Sequence, residues 1–187
     1  MQSGKNYKAD SYIIIMFLQH TLNNVFSLLI ILLVIFFGLY ITRTISHSEL
    51  DDMHPAIPCQ KELLEESDVF WIIPLYENIS IAENMTWCRE ILSLNKTLGL
   101  HGINHKYNEF LEGRSEEYLE RGIEEFEKCF GYRPEKFKAP RLEISKENKE
   151  LVSEYGMKLK GRLNQITHKV YHCNDHGDYP NAFIRWF

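Results

Sequence analysis

Two pairs of residues in this chain have the types and spacing that hydrolytic chemistry needs: adjacent carboxylates at Asp51 and Asp52, and imidazoles four residues apart at His101 and His105. One carboxylate and two imidazoles can hold a divalent ion through three protein ligands and leave positions on it for water and substrate. A second carboxylate can then take the proton from that water. The chemistry suggested is metal-assisted hydrolysis. Spacing limits how the histidines can work: in an extended strand, residues four apart are separated by about 13 Å, too far to share an ion bound at about 2.0–2.1 Å per ligand. The chain must therefore turn, and Gly102 and Asn104 permit either a tight turn or one helical turn. Glycine after His101 argues against a zinc protease, whose H-E-x-x-H pattern needs glutamate there as general base. Each pair also has a plain alternative, as two surface histidines and two solvated acids on a loop.

The elements that must position these residues follow from the apolar pattern. Strand-like runs cover residues 69–75, 98–100, 136–139, 157–159 and 169–172. Helical patterns fall between them. Ser115 is a candidate N-cap, Glu116 and Glu117 suit the positive end of a helix dipole, and Leu119, Ile123, Phe126 and Phe130 form one apolar stripe before Gly131. Ser145 opens a second helix over 146–155, and a third is expected over about 84–94. Alternating strands and helices imply a parallel sheet, open or closed into a barrel, whose working site lies at the carboxyl ends of the strands. The polar residues that follow the apolar runs are Asp51, Asp52 and His54 after Leu50; His101 and His105 after Leu100; Lys138, Pro140 and Arg141 after Phe137; and His172, Asp175 and His176 after the last run.

A chain of 187 residues has room for one such domain and an appendage. The appendage reads as a membrane anchor. Residues 22–41 carry no charge over 20 positions, enough at about 1.5 Å per residue to cross a hydrocarbon core of about 30 Å. A cleaved signal peptide has a shorter apolar region and a better small-residue cleavage site than Ser46-His47-Ser48. A second apolar patch, residues 12–18, is too short to span and is expected at the interface or without structure. We divide the chain into an N-terminal segment (1–21), a transmembrane anchor (22–43) and a soluble domain (44–187). Lys5 and Lys8 before the span, against Arg43 followed by Glu49, Asp51 and Asp52, place the N-terminus in the cytoplasm and the domain on the extracytoplasmic side. Three N-x-S/T triplets, at Asn78, Asn84 and Asn95, add weak support. The four cysteines, Cys59, Cys88, Cys129 and Cys173, have no C-x-x-C spacing, so they form disulfides of undetermined pairing or act as small buried hydrophobes. Three basic residues and one acidic residue lie in the first 43 positions, leaving 18 basic and 25 acidic residues in the domain. A surface this acidic, with no Lys/Arg stripe, argues against nucleic acid as a partner.

Taken together, Leu50-Asp51-Asp52, then Leu100-His101-Gly-Ile-Asn-His105, then Gly131-Tyr-Arg-Pro134 leading to Phe137-Lys138-Ala-Pro140, resemble the polysaccharide deacetylases of carbohydrate esterase family four. The resemblance covers about residues 47–187. It implies a distorted (β/α) barrel, usually of seven strands, that removes N- or O-acetyl groups from sugars; in about 144 residues such a barrel is expected to be incomplete. The resemblance makes Asp51 the catalytic base and Asp52, His101 and His105 the ligands of a divalent metal ion, for which zinc is the expected choice. It makes His172, with His176 as second choice, the general acid; the alternative for His172 is a strand-end residue that only hydrogen-bonds. One departure stands out: where the family usually has an arginine that orients the base, this chain has Lys138, a point charge without the planar fork, so that Arg141 could share that role. The function implied is a membrane-anchored, metal-dependent deacetylase acting on an acetylated glycan. The competing reading is a catalytically inactive carbohydrate-binding or interaction module on the same anchor.

Overall fold

The computed structural model describes residues 6–175 and 177–187, so Lys5 and His176, named above, lie outside the described residues. The chain forms two compact units, one ending at Ile41 and one running from Thr42 to Phe187. Helix α1 (Asn6–Ile45) makes up the first and contributes its last turn to the second. Its stretch Ile15–Ile45 is long and apolar enough to cross a membrane. The patch at residues 12–18 is helical, which removes the reading of it as unstructured. Residues 6–37 contain neither Gly nor Pro, so nothing interrupts the i→i−4 hydrogen bonds between that patch and the span.

The second unit alternates strands and helices: β1 (Glu49–Met53), α2 (Lys61–Glu66), β2 (Val69–Ile72), a hairpin of β3 (Leu75–Tyr76) and β4 (Ile79–Ser80), α3 (Met85–Ser93), β5 (Thr97–His101), α4 (Glu116–Phe130), β6 (Lys136–Lys138), α5 (Lys146–Glu154), β7 (Lys158–Lys160), α6 (Arg162–Thr167), β8 (Val170–His172) and α7 (Asn181–Trp186). The apolar run 69–75 is split because Pro74 has no N–H for the ladder, and Leu75 instead donates to the Ile103 carbonyl at 2.9 Å. Six strands form one parallel sheet in the order β7-β6-β5-β2-β1-β8. From β1 to β7, strands consecutive in the parallel series are neighbours, and the last, β8, returns to pair with the first. That is barrel order. Closure is missing between β7 and β8, which share no ladder among the described residues, so the barrel is incomplete.

The helices pack their apolar stripes on the outside of the sheet. Leu50, Phe70, Leu100 and Phe137 from the strands share one buried cluster with Leu119, Ile123 and Phe126 from α4 and Val152 from α5. Ser115 and Ser145 cap α4 and α5, accepting from the backbone N–H of Tyr118 (3.3 Å) and Asn148 (3.2 Å). Gly131 ends α4 at φ 81, a left-handed conformation open to glycine at little cost. Arg43 is buried in the second unit, donating to the carbonyls of Gln165 (3.1 Å) and Ile166 (2.9 Å). Its charge thus serves the fold of the domain.

All four cysteines are paired. Cys88–Cys129 joins α3 to α4, and Cys59–Cys173 joins the segment after β1 to the end of β8. In the chain-entropy account, closing loops of 41 and 114 residues should stabilise the domain by about 4 and 5 kcal/mol respectively. Replacing Cys88 and Cys129 together by Ser should therefore shift urea unfolding, followed by tryptophan fluorescence, to markedly lower denaturant. An unchanged midpoint would mean that the bridge contributes nothing to stability.

Candidate active site

The strand ends bring the sequence candidates together. In the parallel register Asp51 stands beside His172 and His101 beside Lys138, so four of the side chains leave the carboxyl ends of β1, β8, β5 and β6. Asp52 joins them by a different device. Adjacent residues of a regular strand point to opposite faces, yet both aspartates are buried on the same side. Between Leu50 and Met53, three steps on β1 are matched by two on β2, Phe70 to Ile72, so β1 carries one extra residue. This is a β-bulge, and Asp52 takes the left-handed conformation at φ 64, which aspartate tolerates better than most residues.

The turn after β5 brings in His105. Gly102 sits at φ 59, and a Cβ there would lie 2.5 Å from Glu109 Oε2 and 2.6 Å from Pro140 Cγ. Glu109 is buried and holds the turn: its Oε1 accepts from the backbone N–H of Ile103 (2.8 Å) and Asn104 (2.9 Å) and from the Tyr118 hydroxyl (2.7 Å). Burial, reinforced by the Glu109 carboxylate, pushes the Tyr118 hydroxyl well above its ordinary value and keeps it a donor. Of the two turns the spacing allows, the tight one is found. Gly102→Ala should cost about 1–3 kcal/mol through the left-handed φ and the collision. Because the methyl strikes the turn itself, bound metal should fall with it; urea unfolding and atomic emission on the same preparation test both.

Asp52, His101 and His105 each direct one ligand atom into a group within 4.8 Å of one another, which could hold a metal ion. The His101 and His105 Nε2 atoms stand 3.5 and 3.0 Å from Asp52 Oδ1. His101 Nδ1 lies 3.1 Å from the Lys138 carbonyl, which can only accept. Nδ1 of neutral His101 therefore carries the hydrogen, and Nε2 turns its lone pair to the group. Asp52 Oδ1 is buried and without a hydrogen-bond partner among the described residues. Two ring nitrogens and one orphaned carboxylate oxygen thus compete for a positive charge, as a metal ion or as a proton. Burial works against a proton on His101, but Asp51 and Asp52 outweigh it and raise the imidazole above its ordinary value. For Asp52 burial acts upward, and the two imidazoles outweigh it, holding the carboxyl far below the usual range. These donors fit a borderline divalent ion such as zinc.

Asp51 lies next to the group, its Oδ2 3.8 Å from His101 Nε2 and 3.7 Å from His172 Nε2. Its other oxygen accepts from Lys138 Nζ at 2.8 Å. Lys138 is buried and needs no help from Arg141, whose half-exposed side chain points to Glu143 and Tyr107. What the sequence reading missed is the far side of Lys138: Nζ also donates to Glu49 Oε2 at 3.3 Å, and its charge lies 5.5 Å from the centre of the Trp71 ring. The same Glu49 oxygen accepts from Trp71 Nε1 at 2.8 Å. Burial pushes the Glu49 carboxyl up, and Lys138 with these hydrogen bonds outweighs it, leaving it below the usual range. Glu49 and Asp51 are two apart on β1 and share its inner face, the one signal that could have revealed the pair.

The remaining histidines separate by their neighbours. His172 packs its ring against Gly177, and its Nδ1 is buried without a hydrogen-bond partner among the described residues. Its backbone N–H donates to Asn181 Oδ1 at 2.9 Å, while Asn181 Nδ2 donates to its carbonyl at 2.7 Å, so the strand end is fixed. His54 is structural: Nδ1 accepts from Ala56 N–H at 3.0 Å, and Nε2 faces the Ile79 carbonyl at 3.2 Å. Asp175 likewise accepts from Asn181 N–H at 2.6 Å and has no place in the site. Asp51, Asp52, His101, His105, Lys138 and His172 together line a cleft of about 290 Å³ that opens to solvent.

The parallel, incomplete barrel matches the fold of solved carbohydrate esterase and polysaccharide deacetylase structures. Among solved structures, the chain matches a family 4 carbohydrate esterase from Streptomyces lividans in complex with acetate (TM-score 0.52, 14% identity, 74% of this chain and 83% of that one). It also matches a polysaccharide deacetylase from Bacillus cereus (TM-score 0.50, 12% identity, 75% and 84%). A CE4 family pseudoenzyme from Bacillus anthracis matches less well (TM-score 0.45, 12% identity), and this chain spans 44% of its length. No protein-family model and no curated protein matches the sequence.

Proposed function

We propose that the chain is a metal-dependent hydrolase that removes acetyl groups from a glycan, held at a membrane by α1 with residues 44–187 on the extracytoplasmic side. The observation that carries this reading is the Asp52–His101–His105 group, with its orphaned carboxylate oxygen, opening into the cleft beside Asp51. Asp52, His101 and His105 would hold the ion, zinc by preference for two imidazoles and a carboxylate. When bound, it supplies Lewis acidity and lowers the pKa of a water. Asp51 Oδ2 faces the same space and takes the proton from the attacking water, while Lys138 fixes the other oxygen. His172, across Asp51, gives a proton to the departing amine or alkoxide. Acetate and the free amino or hydroxyl sugar are the products.

The competing reading, a module that binds glycan without turnover, is favoured by one feature: no described partner fixes the tautomer of His172 at Nδ1. Purified full-length chain in detergent, incubated with acetylated chitooligosaccharide or peptidoglycan, separates the two. Deacetylation predicts acetate release that a chelator abolishes and zinc restores. Glycan binding without acetate release at any metal loading would establish the inactive module.

The orientation rests on Lys5 and Lys8 being retained inside. The sequon residues Asn78, Asn84 and Asn95 are all exposed, and the two disulfides suit an oxidising compartment. Protease added to intact cells should digest the domain. Protection until lysis would reverse the topology.

A further inference from the structure

The outer rim of the cleft carries chemistry that acetyl hydrolysis leaves unused. Lys106 and Tyr107 follow His105 on the loop after β5, and Arg141 follows Pro140 after β6; all three line the cleft. Tyr107 is 75% exposed, so packing does not explain its position. Its ring is held by the Arg141 guanidinium, 5.1 Å from the ring centre. Arg141 Nε is 3.8 Å from Glu143 Oε2, a loose ion pair beyond hydrogen-bond range, so no hydrogen bond to Glu143 occupies the donors of its planar fork. Lys106 is exposed and has no ion pair among them. Against these two cations stand Asp178, exposed on the rim, and Glu143 beside Arg141. In a domain with 25 acidic and 18 basic side chains, two exposed cations thus stand where substrate would enter.

We propose that Lys106, Tyr107 and Arg141 form a subsite for a carboxylate-bearing sugar, so that the glycan acted on is anionic and contains uronate units. This rests on the glycan-deacetylase reading above. The free face of the Tyr107 ring, negative by its quadrupole, suits the C–H-rich face of a pyranose. The guanidinium offers a carboxylate two parallel N–H donors, a match that a neutral sugar cannot make. Lys106, exposed on the same rim, adds a second positive charge.

The probes are hyaluronan hexasaccharide, which alternates N-acetylglucosamine with glucuronate, and its carboxyl-reduced form, in which each carboxylate has become a neutral hydroxymethyl. Titration calorimetry on zinc-loaded full-length chain in detergent should show the uronate form binding about tenfold tighter, as one charge-assisted contact would give. That preference should shrink with added salt. Arg141→Gln should erase the preference, lowering affinity for the uronate form far more than for the reduced form, and Tyr107→Ala should weaken both. Equal affinities in the unsubstituted protein, a preference that survives Arg141→Gln, or no binding of either probe overturns the proposal. Acetate release from neutral chitohexaose is scored separately. Turnover without a uronate preference removes the subsite and leaves the hydrolase, whereas a preference without turnover on any glycan does the reverse.

Discussion

His101→Ala and His105→Ala should each lower acetate release on the order of 10³-fold or more, because each removes one of three protein ligands to an ion that contributes several kcal/mol to the transition state. The ligands act through one ion, so the double variant should be little worse than either single one. Asp52→Asn belongs with them: asparagine also tolerates the left-handed conformation at φ 64, so the charge is lost while the bulge is kept. Asp51→Asn should differ, retaining metal measured by atomic emission while losing turnover. Stoichiometric metal in the His101→Ala, His105→Ala double variant would sink the assignment. Metal lost from Asp51→Asn yet kept in Asp52→Asn would exchange the roles of the two carboxylates.

The second large effect is expected at Lys138, in stability as well as rate. Its ammonium lies between Glu49 and Asp51, and all three are buried. Lys138→Ala leaves two carboxylates without their shared cation, and breaking a buried pair in this way costs about 3–5 kcal/mol, a large share of the roughly 5–15 kcal/mol that holds a domain together. Removing the charges together, in a Glu49→Gln, Asp51→Asn, Lys138→Met triple variant, should recover most of that loss in urea unfolding, though not activity. Lys138→Arg should keep much of both, since a guanidinium fork can serve the two carboxylates at once. Equal stability and equal turnover in the Ala, Arg and unsubstituted proteins would show that Lys138 has no part in the site.

How far the sequence could be read depended on whether a residue's neighbours lie along the chain or across the sheet. The caps at Ser115 and Ser145, the stop at Gly131 and the turn demanded by His101 and His105 are local, and each is found. Strand β1 escaped the pattern search because Glu-Leu-Asp-Asp-Met places charges where a buried strand usually shows apolar residues. Those charges face one another inside the barrel, and only the fold supplies their partners: Trp71 from β2 and Lys138 from β6. Glu109 was illegible for the same reason, since its partners are backbone N–H groups made available by the turn it holds. The bulge that turns Asp52 inward needs β2 alongside to be visible at all. Helices α2, α6 and α7 are six residues each, too short for a 3.6-residue period to declare itself. The extra length of α1 was missed because a span was sought by its apolar content, whereas the helix continues wherever nothing breaks it.

The two disulfides impose an order on how the domain can be made. With the orientation proposed above, the chain enters an oxidising compartment from its amino-terminal side, so Cys59 and Cys88 arrive first, and neither is the other's partner. Cys129 completes its pair after 41 residues, whereas Cys59 must wait 114 residues for Cys173. During that interval Cys59 is a thiol able to attack either cysteine of the other bridge, and each such error has to be undone by thiol–disulfide exchange. The bridge that fastens β8 beside β1, and with it His172 beside Asp51, is thus the last to form. A cell short of disulfide isomerase should accumulate chains whose first bridge is misdrawn and whose cleft lacks its fourth wall.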